Sequence, residues 1–225
     1  MGFKSVAIDG PSGAGKSTLA RQVAQAMGYL YVDTGAIYRT LGLAVLRAGI
    51  APEDTVGVVD LLGRISIDLG HGDDGLQHMY LDGEDVSSAI REPEVSKCAS
   101  GVSAIPAVRA FLMDMQRNLA RRQNVIMDGR DIGTVVLPDA DVKIFLTASP
   151  EARARRRWDE LHARGTKVDY ETVLRDIVAR DERDIHRDTA PLRQAEDAVA
   201  VDTTDIGLEE SFQRLLNVVQ KGVGA

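Results

Sequence analysis

Two short stretches of the chain carry residues whose types and spacing can do chemistry. The first, GPSGAGKS at Gly10–Ser17, fits the pattern G-x-x-x-x-G-K-[S/T] with every fixed position filled. Glycines let backbone approach an anion closely, and successive N–H groups then point inward with the positive end of a helix behind them. Such a cradle, made by Gly10, Pro11, Ser12, Gly13, Ala14, Gly15, Lys16, Ser17 and Thr18, takes the phosphates of a nucleoside triphosphate. Lys16 is expected to reach the β- and γ-phosphates, and the Ser17 hydroxyl to ligate Mg²⁺. The second stretch, MDGRDIG at Met127–Gly133, sets an arginine between two aspartates directly after the apolar NVIMD. Asp128, Arg130 and Asp131 at a strand end suit a ligand that is anionic in one part and a hydrogen-bond donor in another.

A strand must lead into the cradle and a helix must leave it, and both are present. SVAID (5–9) is a short apolar run, and KSTLARQVAQAM places Leu19, Val23, Ala26 and Met27 on one helical stripe. Similar runs recur as YLYVD (29–33), NVIMD (124–128), VKIFL (142–146) and AVAVD (198–202). Apolar strands separated by helical patterns predict an α/β fold whose parallel sheet is covered on both faces. Ligands of such sheets bind beyond the carboxyl ends of the strands, where Asp9, Asp33, Asp128 and Asp202 fall. The alternation lapses between about Arg64 and Arg91, where ISIDLG and LQHMYLDG alternate like half-exposed strands around HGDDG. That predicts a small antiparallel lobe inserted into the main fold. Two helices are expected over roughly 92–104 and 106–122, with Pro106 in a first turn.

Composition narrows the partners. The chain has 225 residues, 44% hydrophobic and 27% charged, which suits one globular domain with an inserted lobe. A net charge of −7 argues against polymeric nucleic acid or an anionic membrane. It does not exclude a small phosphorylated ligand, because clustered arginines outweigh a global minus locally. Cys98 stands alone, which leaves no intrachain disulfide and no cysteine metal site, and reads as a small buried residue. No secretory signal and no apolar stretch near about 18 residues is found, so the chain reads as cytoplasmic. With no long exposed apolar stripe visible, a monomer is expected.

The cradle alone leaves open whether the triphosphate drives a conformational switch or donates a phosphoryl group. TKVD (166–169) imitates a guanine-reading element, but it follows the charged RWDELHARG with no strand before it. DLLG (60–63) lies inside a helical pattern, and no element of a mechanical ATPase is identified. A phosphotransferase must hold two polyanionic nucleotides end to end, so arginines must converge from outside the cradle. In EARARRRWDEL, Arg153 and Arg157 are spaced i, i+4, with Arg155 and Arg156 beside them. In RDERDIHRD, Arg180, Arg183 and Arg187 stand at i, i+3, i+7, which predicts one helical face, and Asp181, Asp184 and Asp188 repeat that spacing. Alternating charge on a single helix is ordinarily a solvated ladder of pairs such as Asp176–Arg180 and Arg180–Asp184. Two arginine-rich helices joined by the glycine-containing HARGTKVDY instead predict a hinged lid that closes over phosphates and excludes water.

Taken together, DGPSGAGKST, DTGAIYR (33–39), GEDVSSAIR (83–91), DGRDIGTVV (128–136), VKIFLTAS (142–149) and RDERDIHRDTAPL (180–192) closely resemble, in order, the motifs of the bacterial cytidylate kinase family. The resemblance runs from about residue 3 to 220. It implies one P-loop domain over 1–225 with the three-layer α/β fold of nucleoside monophosphate kinases. That fold has a five-stranded parallel core sheet with helices on both faces, an acceptor-binding antiparallel lobe, here 64–91, and a helical lid, here 153–187. The implied reaction is phosphoryl transfer from ATP to CMP or dCMP, with Mg²⁺ as cofactor.

Residue by residue, Asp131 matches the carboxylate near the base, where it accepts from the cytosine amino group, and Arg109 and Ser100 match donors to the ring. Uracil would turn a carbonyl toward Asp131, at a cost of about 1–3 kcal/mol or more. Arg39, Arg130 and Arg187 match the clamp on the acceptor phosphate, and Arg180 and Asp184 the sugar contacts, with Thr34 nearby. The adjacent opposite charges of Arg130 and Asp131 would then serve two ends of one ligand. Thr34 departs from the family's frequent serine, and its added methyl bears on tolerance at the sugar 2′ position. Ser17 stands where some members have glycine. Catalysis is implied to be positioning and charge stabilisation by Lys16, Mg²⁺ and the arginines 153, 157 and 187, with Asp33 and Asp128 ordering magnesium-bound water.

Overall fold

A computed structural model describes residues 2–72 and 76–224. The chain runs β1 (Ser5–Asp9), α1 (Lys16–Met27), β2 (Leu30–Asp33), α2 (Thr34–Arg47), α3 (Thr55–Leu62), β3 (Ile67–His71), β4 (Gln77–Leu81) and β5 (Glu84–Asp85). A 3₁₀ turn at Ala89–Arg91 leads to α4 (Pro93–Val102), α5 (Pro106–Arg122) and β6 (Val125–Gly129). A single π-turn at Ile132–Val136 precedes β7 (Val142–Thr147), α6 (Pro150–Ala163), α7 (Tyr170–His186), β8 (Val199–Asp202) and α8 (Leu208–Val223). Five strands form one sheet in the order β2-β6-β1-β7-β8, with β1 parallel to both its neighbours and β8 parallel to β7. The chain divides into two compact units, one running up to Tyr31 and resuming at Ala120, the other Val32–Leu119.

In the first unit the strands are apolar on both sides because both sides are buried: Val6, Ala7 and Ile8 are fully inaccessible, as are Val125, Ile126 and Met127. Val6, Ile8, Ile126, Ile144, Leu146 and Val201 pack with Leu19 and Val23 of α1 and Leu215 and Val219 of α8 into one core. The α1 stripe differs from the sequence expectation. Leu19 and Val23 are buried as predicted, but Ala20 and Ala24 complete the face, Ala26 is exposed and Met27 is half-buried. The buried arc is centred between Ala20 and Val23, so Ala26 falls at its rim.

The arginine-rich helices α6 and α7 pack on each other through Ala154, Val173 and Ile177, flanked by Trp158, Leu161, Val168, Tyr170 and Leu174. Their link turns at Gly165, and Asp169 of TKVD caps α7 by accepting from the Thr172 N–H at 2.8 Å. The expected single face of Arg180, Arg183 and Arg187 is not formed: Arg183 is exposed and donates to the Ala179 carbonyl, and Arg187 stands just beyond the helix end. Asp184, on the same helix, is buried and ion-pairs with Arg130, so it is not a rung of a solvated ladder.

In the second unit β3, β4 and β5 form an antiparallel sheet, with Ile67 opposite Leu81 and Leu69 opposite Met79. Ile67, Met79 and Leu81 point to the buried side, which accounts for the alternation in the sequence. Asp73, Asp74 and Gly75 of the predicted HGDDG turn lie outside the described residues. Cys98 of α4 is a free thiol buried in this unit. Among the described residues no helix is long and apolar enough to cross a membrane.

Candidate functional site

The cradle begins where β1 ends. A Cβ on Gly10 would lie 1.9 Å from the Leu146 carbonyl oxygen of β7, so only glycine lets the loop leave the sheet there. The loop closes at Gly15, whose left-handed conformation, φ 85°, starts α1 at Lys16. Lys16 is buried and its ammonium donates to the Pro11 carbonyl at 2.7 Å. Burial, then the nearby Arg130 charge, lowers its pKa from the ordinary lysine value, while Asp128 and Asp9 pull the other way. A polyphosphate bound in the cradle would favour the charged form of Lys16 by adding negative charge beside it.

Asp9, at the end of β1, joins the cradle to the second motif. Its two carboxylate oxygens accept the Ile132 N–H at 2.8 Å and the Gly133 N–H at 2.7 Å, fixing the backbone immediately after Asp131. Burial pushes its pKa up to about 6, with both N–H bonds opposing the rise. At the end of β6, Asp128 accepts from the Ser17 hydroxyl at 3.0 Å and from the Tyr31 hydroxyl at 2.7 Å.

The adjacent charges of the second motif are cross-paired with the far end of α7. Arg130 donates to Asp184 at 2.8 Å, and Arg187 lies 3.4 Å from Asp131 while donating to the Ala190 carbonyl at 2.6 Å. Burial works to raise the Asp184 pKa, but Arg130, with Arg180 and Arg187, outweighs it and holds the carboxyl below its ordinary value. Asp131 is 5% exposed, so a group that pairs with it is read in a desolvated setting.

The remaining arginines of α6 and α7 have separate surroundings. Arg153 is buried and donates to Ser12 of the cradle, whereas Arg157 is exposed and pairs with Glu160. Arg155 lies over the rings of Trp158 and Tyr170, and Arg156 donates to the Thr203 carbonyl. The second unit holds Thr34, Arg39, Ser100 and Arg109. Asp33 caps α2 through the Ala36 N–H and pairs with Arg39 at 2.8 Å, while Gln77 of β4 holds the Asp33 backbone N–H at 2.7 Å. Thr34 is buried, Ser100 is half-buried on α4, and Arg109 is buried, 5.8 Å from the Tyr38 ring centre.

Three residues acquire roles that sequence reasoning missed. Asp9 had the only available signal, its place at a strand end. Tyr31 looks like one more apolar strand residue, and nothing in the sequence reveals its hydroxyl's partner. Asp181 belongs to the noticed series 181, 184, 188, yet its ion pair with Arg153 at 2.7 Å is tertiary.

A parallel sheet, a glycine cradle at the end of its central strand and a buried lysine opening the next helix define a P-loop nucleoside triphosphate-binding protein. The family model for cytidylate kinase matches residues 6–221. The cytidylate kinase of Caldicellulosiruptor bescii is 50% identical over 219 residues, covering 97% of this chain and 96% of that protein. That of Mycobacterium leprae is 49% identical over 221 residues, covering 98% and 97%. The chain therefore belongs to the cytidylate kinase family. An uncharacterized protein from Eubacterium ventriosum, 11% identical, superposes with a TM-score of 0.53 over 96% of this chain and 98% of that one, a likeness of fold alone.

Proposed function

We propose that the protein transfers the γ-phosphoryl group of ATP to CMP or dCMP, giving ADP and CDP or dCDP. The observation that carries this reading is the buried Asp131 beside Arg130 at the strand end next to the cradle, in a chain whose family membership spans nearly its whole length. The carboxylate accepts from the cytosine amino group, and the neighbouring arginine, with Arg39 and Arg187, holds the acceptor phosphate. Arg180 and Asp184 hold the sugar, with Thr34 nearby, and Ser100 and Arg109 donate to the base.

The donor phosphates lie on Gly10–Thr18 with Lys16 against the transferred group. The acceptor phosphate is already ionised at neutral pH, so the chain's task is to align and neutralise charge, with no general base required. Arg153 does so from a buried position, Arg187 from a half-buried one and Arg157 from an exposed one, through movement of the lid over 153–187.

Magnesium suits the residues present. Among the described residues no group of three or more His, Cys, Asp or Glu could hold a metal by itself. Mg²⁺ keeps most of its water and needs only one or two protein oxygens beside the phosphates, as the adjacent Ser17 and Asp128 oxygens provide. When bound it neutralises phosphate charge. Asp33 is the further candidate, although its carboxylate already serves Ala36 and Arg39.

The test is ATP with Mg²⁺ offered CMP, dCMP, UMP and AMP in turn, following ADP and the diphosphate product. Acceptor-dependent ADP with CMP and dCMP well ahead of UMP is the expected result. Phosphate release that ignores the acceptor would overturn the reading in favour of a P-loop ATPase.

A further inference from the structure

We propose that Asp181 is a positioning residue for the donor nucleotide: it holds the Arg153 guanidinium against the phosphate loop. The inference rests on the donor's phosphates occupying the cradle, as proposed above. Arg153 is 3% exposed, and its guanidinium divides its hydrogens among three acceptors. Nε donates to the Ala148 carbonyl at 2.8 Å, Nη1 to the Ser12 carbonyl at 3.0 Å, and Nη2 meets Asp181 Oδ2 at 2.7 Å. Two of these are neutral carbonyls, one at the end of β7 and one inside the cradle. The third is the charged one, and it comes from α7.

A guanidinium is a rigid plane, so fixing Nη2 also fixes the direction of Nη1. Asp181 therefore acts on the loop through Arg153, at the carbonyl of Ser12. Packing reinforces the link, because a Cβ added to Gly13 would lie 3.4 Å from the Arg153 Cβ. Asp181 is itself largely desolvated: its side chain is 13% exposed, and Oδ1 is buried with no hydrogen-bond partner among the described residues. A carboxylate that served only to keep α7 soluble would face water. This one gives up hydration to meet a single guanidinium.

The sign of its charge makes the role testable. A negative charge beside a polyanion opposes binding, so if Asp181 contributed charge alone, neutralising it would improve use of ATP. If it positions Arg153, neutralising it impairs use of ATP and spares the acceptor. Steady-state kinetics with each substrate varied, together with calorimetric ATP binding, separate these cases. Asp181→Asn should raise KM for ATP roughly tenfold and leave KM for CMP within about twofold. Arg153→Ala should give the same pattern, and adding Asp181→Asn to it should cost nothing more. An unchanged or lower KM for ATP in Asp181→Asn, or a further loss in the double variant, overturns the proposal. Asp181→Glu keeps the charge but displaces the carboxylate, and decides the matter if the asparagine variant does not fold: an unaltered KM for ATP in it is equally fatal. Should the parent make no acceptor-dependent ADP, the phosphotransfer reading fails, and ATP binding to the same variants still judges the pair.

Discussion

At the scale of single residues, two side chains divide the proposed chemistry. Lys16 carries a buried amino group that donates to a carbonyl, so a phosphate can meet it, and favour its charged form, without first breaking an ion pair. Lys16→Ala is expected to lower turnover by on the order of 10²-fold or more, the scale for losing one preorganised charge stabiliser, with the fold retained by circular dichroism. Near-normal turnover would remove Lys16 from the catalytic group. Asp131 is the proposed reader of the base. Asp131→Asn presents an amide whose donor can face a uracil carbonyl, so the preference for CMP over UMP should fall by roughly tenfold or more, measured as the ratio of kcat/KM values. An unchanged ratio would mean that Asp131, which also pairs with Arg187, serves geometry alone.

Elements were more legible than contacts, for a physical reason. Parallel strands buried on both faces must be apolar throughout, so SVAID is β1 residue for residue, and the other four runs mark β2, β6, β7 and β8 to within a residue at either end. The cradle was equally plain because its glycines answer local steric demands. Partner choice across the chain was not legible. Helical spacing by itself says nothing of the burial of Arg109 beside Tyr38 or of the pairing of Asp184 with Arg130. Spacing specifies which residues share a face, whereas tertiary packing specifies what that face meets. The junction of β1 with the cradle shows how strict the local demand is. Gly10→Ala places a methyl 1.9 Å from a backbone oxygen of the neighbouring strand, a contact that no rotamer change relieves. The sheet must part or the loop must move, and a destabilisation of about 4 kcal/mol or more is expected, visible as a lowered urea midpoint. A variant as stable as the parent would mean that the loop relaxes without cost.

Across the whole molecule the balance is acidic, at −7, yet Lys16, Arg130, Arg153, Arg180 and Arg187 all belong to the unit that carries the cradle. That uneven distribution is why a net negative charge does not exclude a nucleotide. Two buried carboxyls in the same unit pull the pH dependence of stability in opposite directions. Asp184 has a lowered pKa in the fold, so its contribution is present above the ordinary value of 3.8 and is lost only as pH falls through the lower folded value. Asp9 is raised from 3.8 to about 6, so the folded state binds its proton more tightly than the unfolded chain does. Its contribution is full below 3.8 and is lost as pH rises through about 6. Between pH 4.5 and 7 Asp9 should therefore remove about 2 kcal/mol of stability as pH rises, a loss the Ile132 and Gly133 bonds offset but do not cancel. Asp9→Asn cannot titrate. It should be less stable at every pH, because one of the two N–H groups then faces an amide nitrogen, but its stability should decline less than the parent's from pH 4.5 to 7. Urea unfolding of both proteins at the two pH values measures the difference. Parallel pH dependences would mean that the two N–H donors keep Asp9 ionised throughout this range, so that its titration plays no part in the stability of the fold.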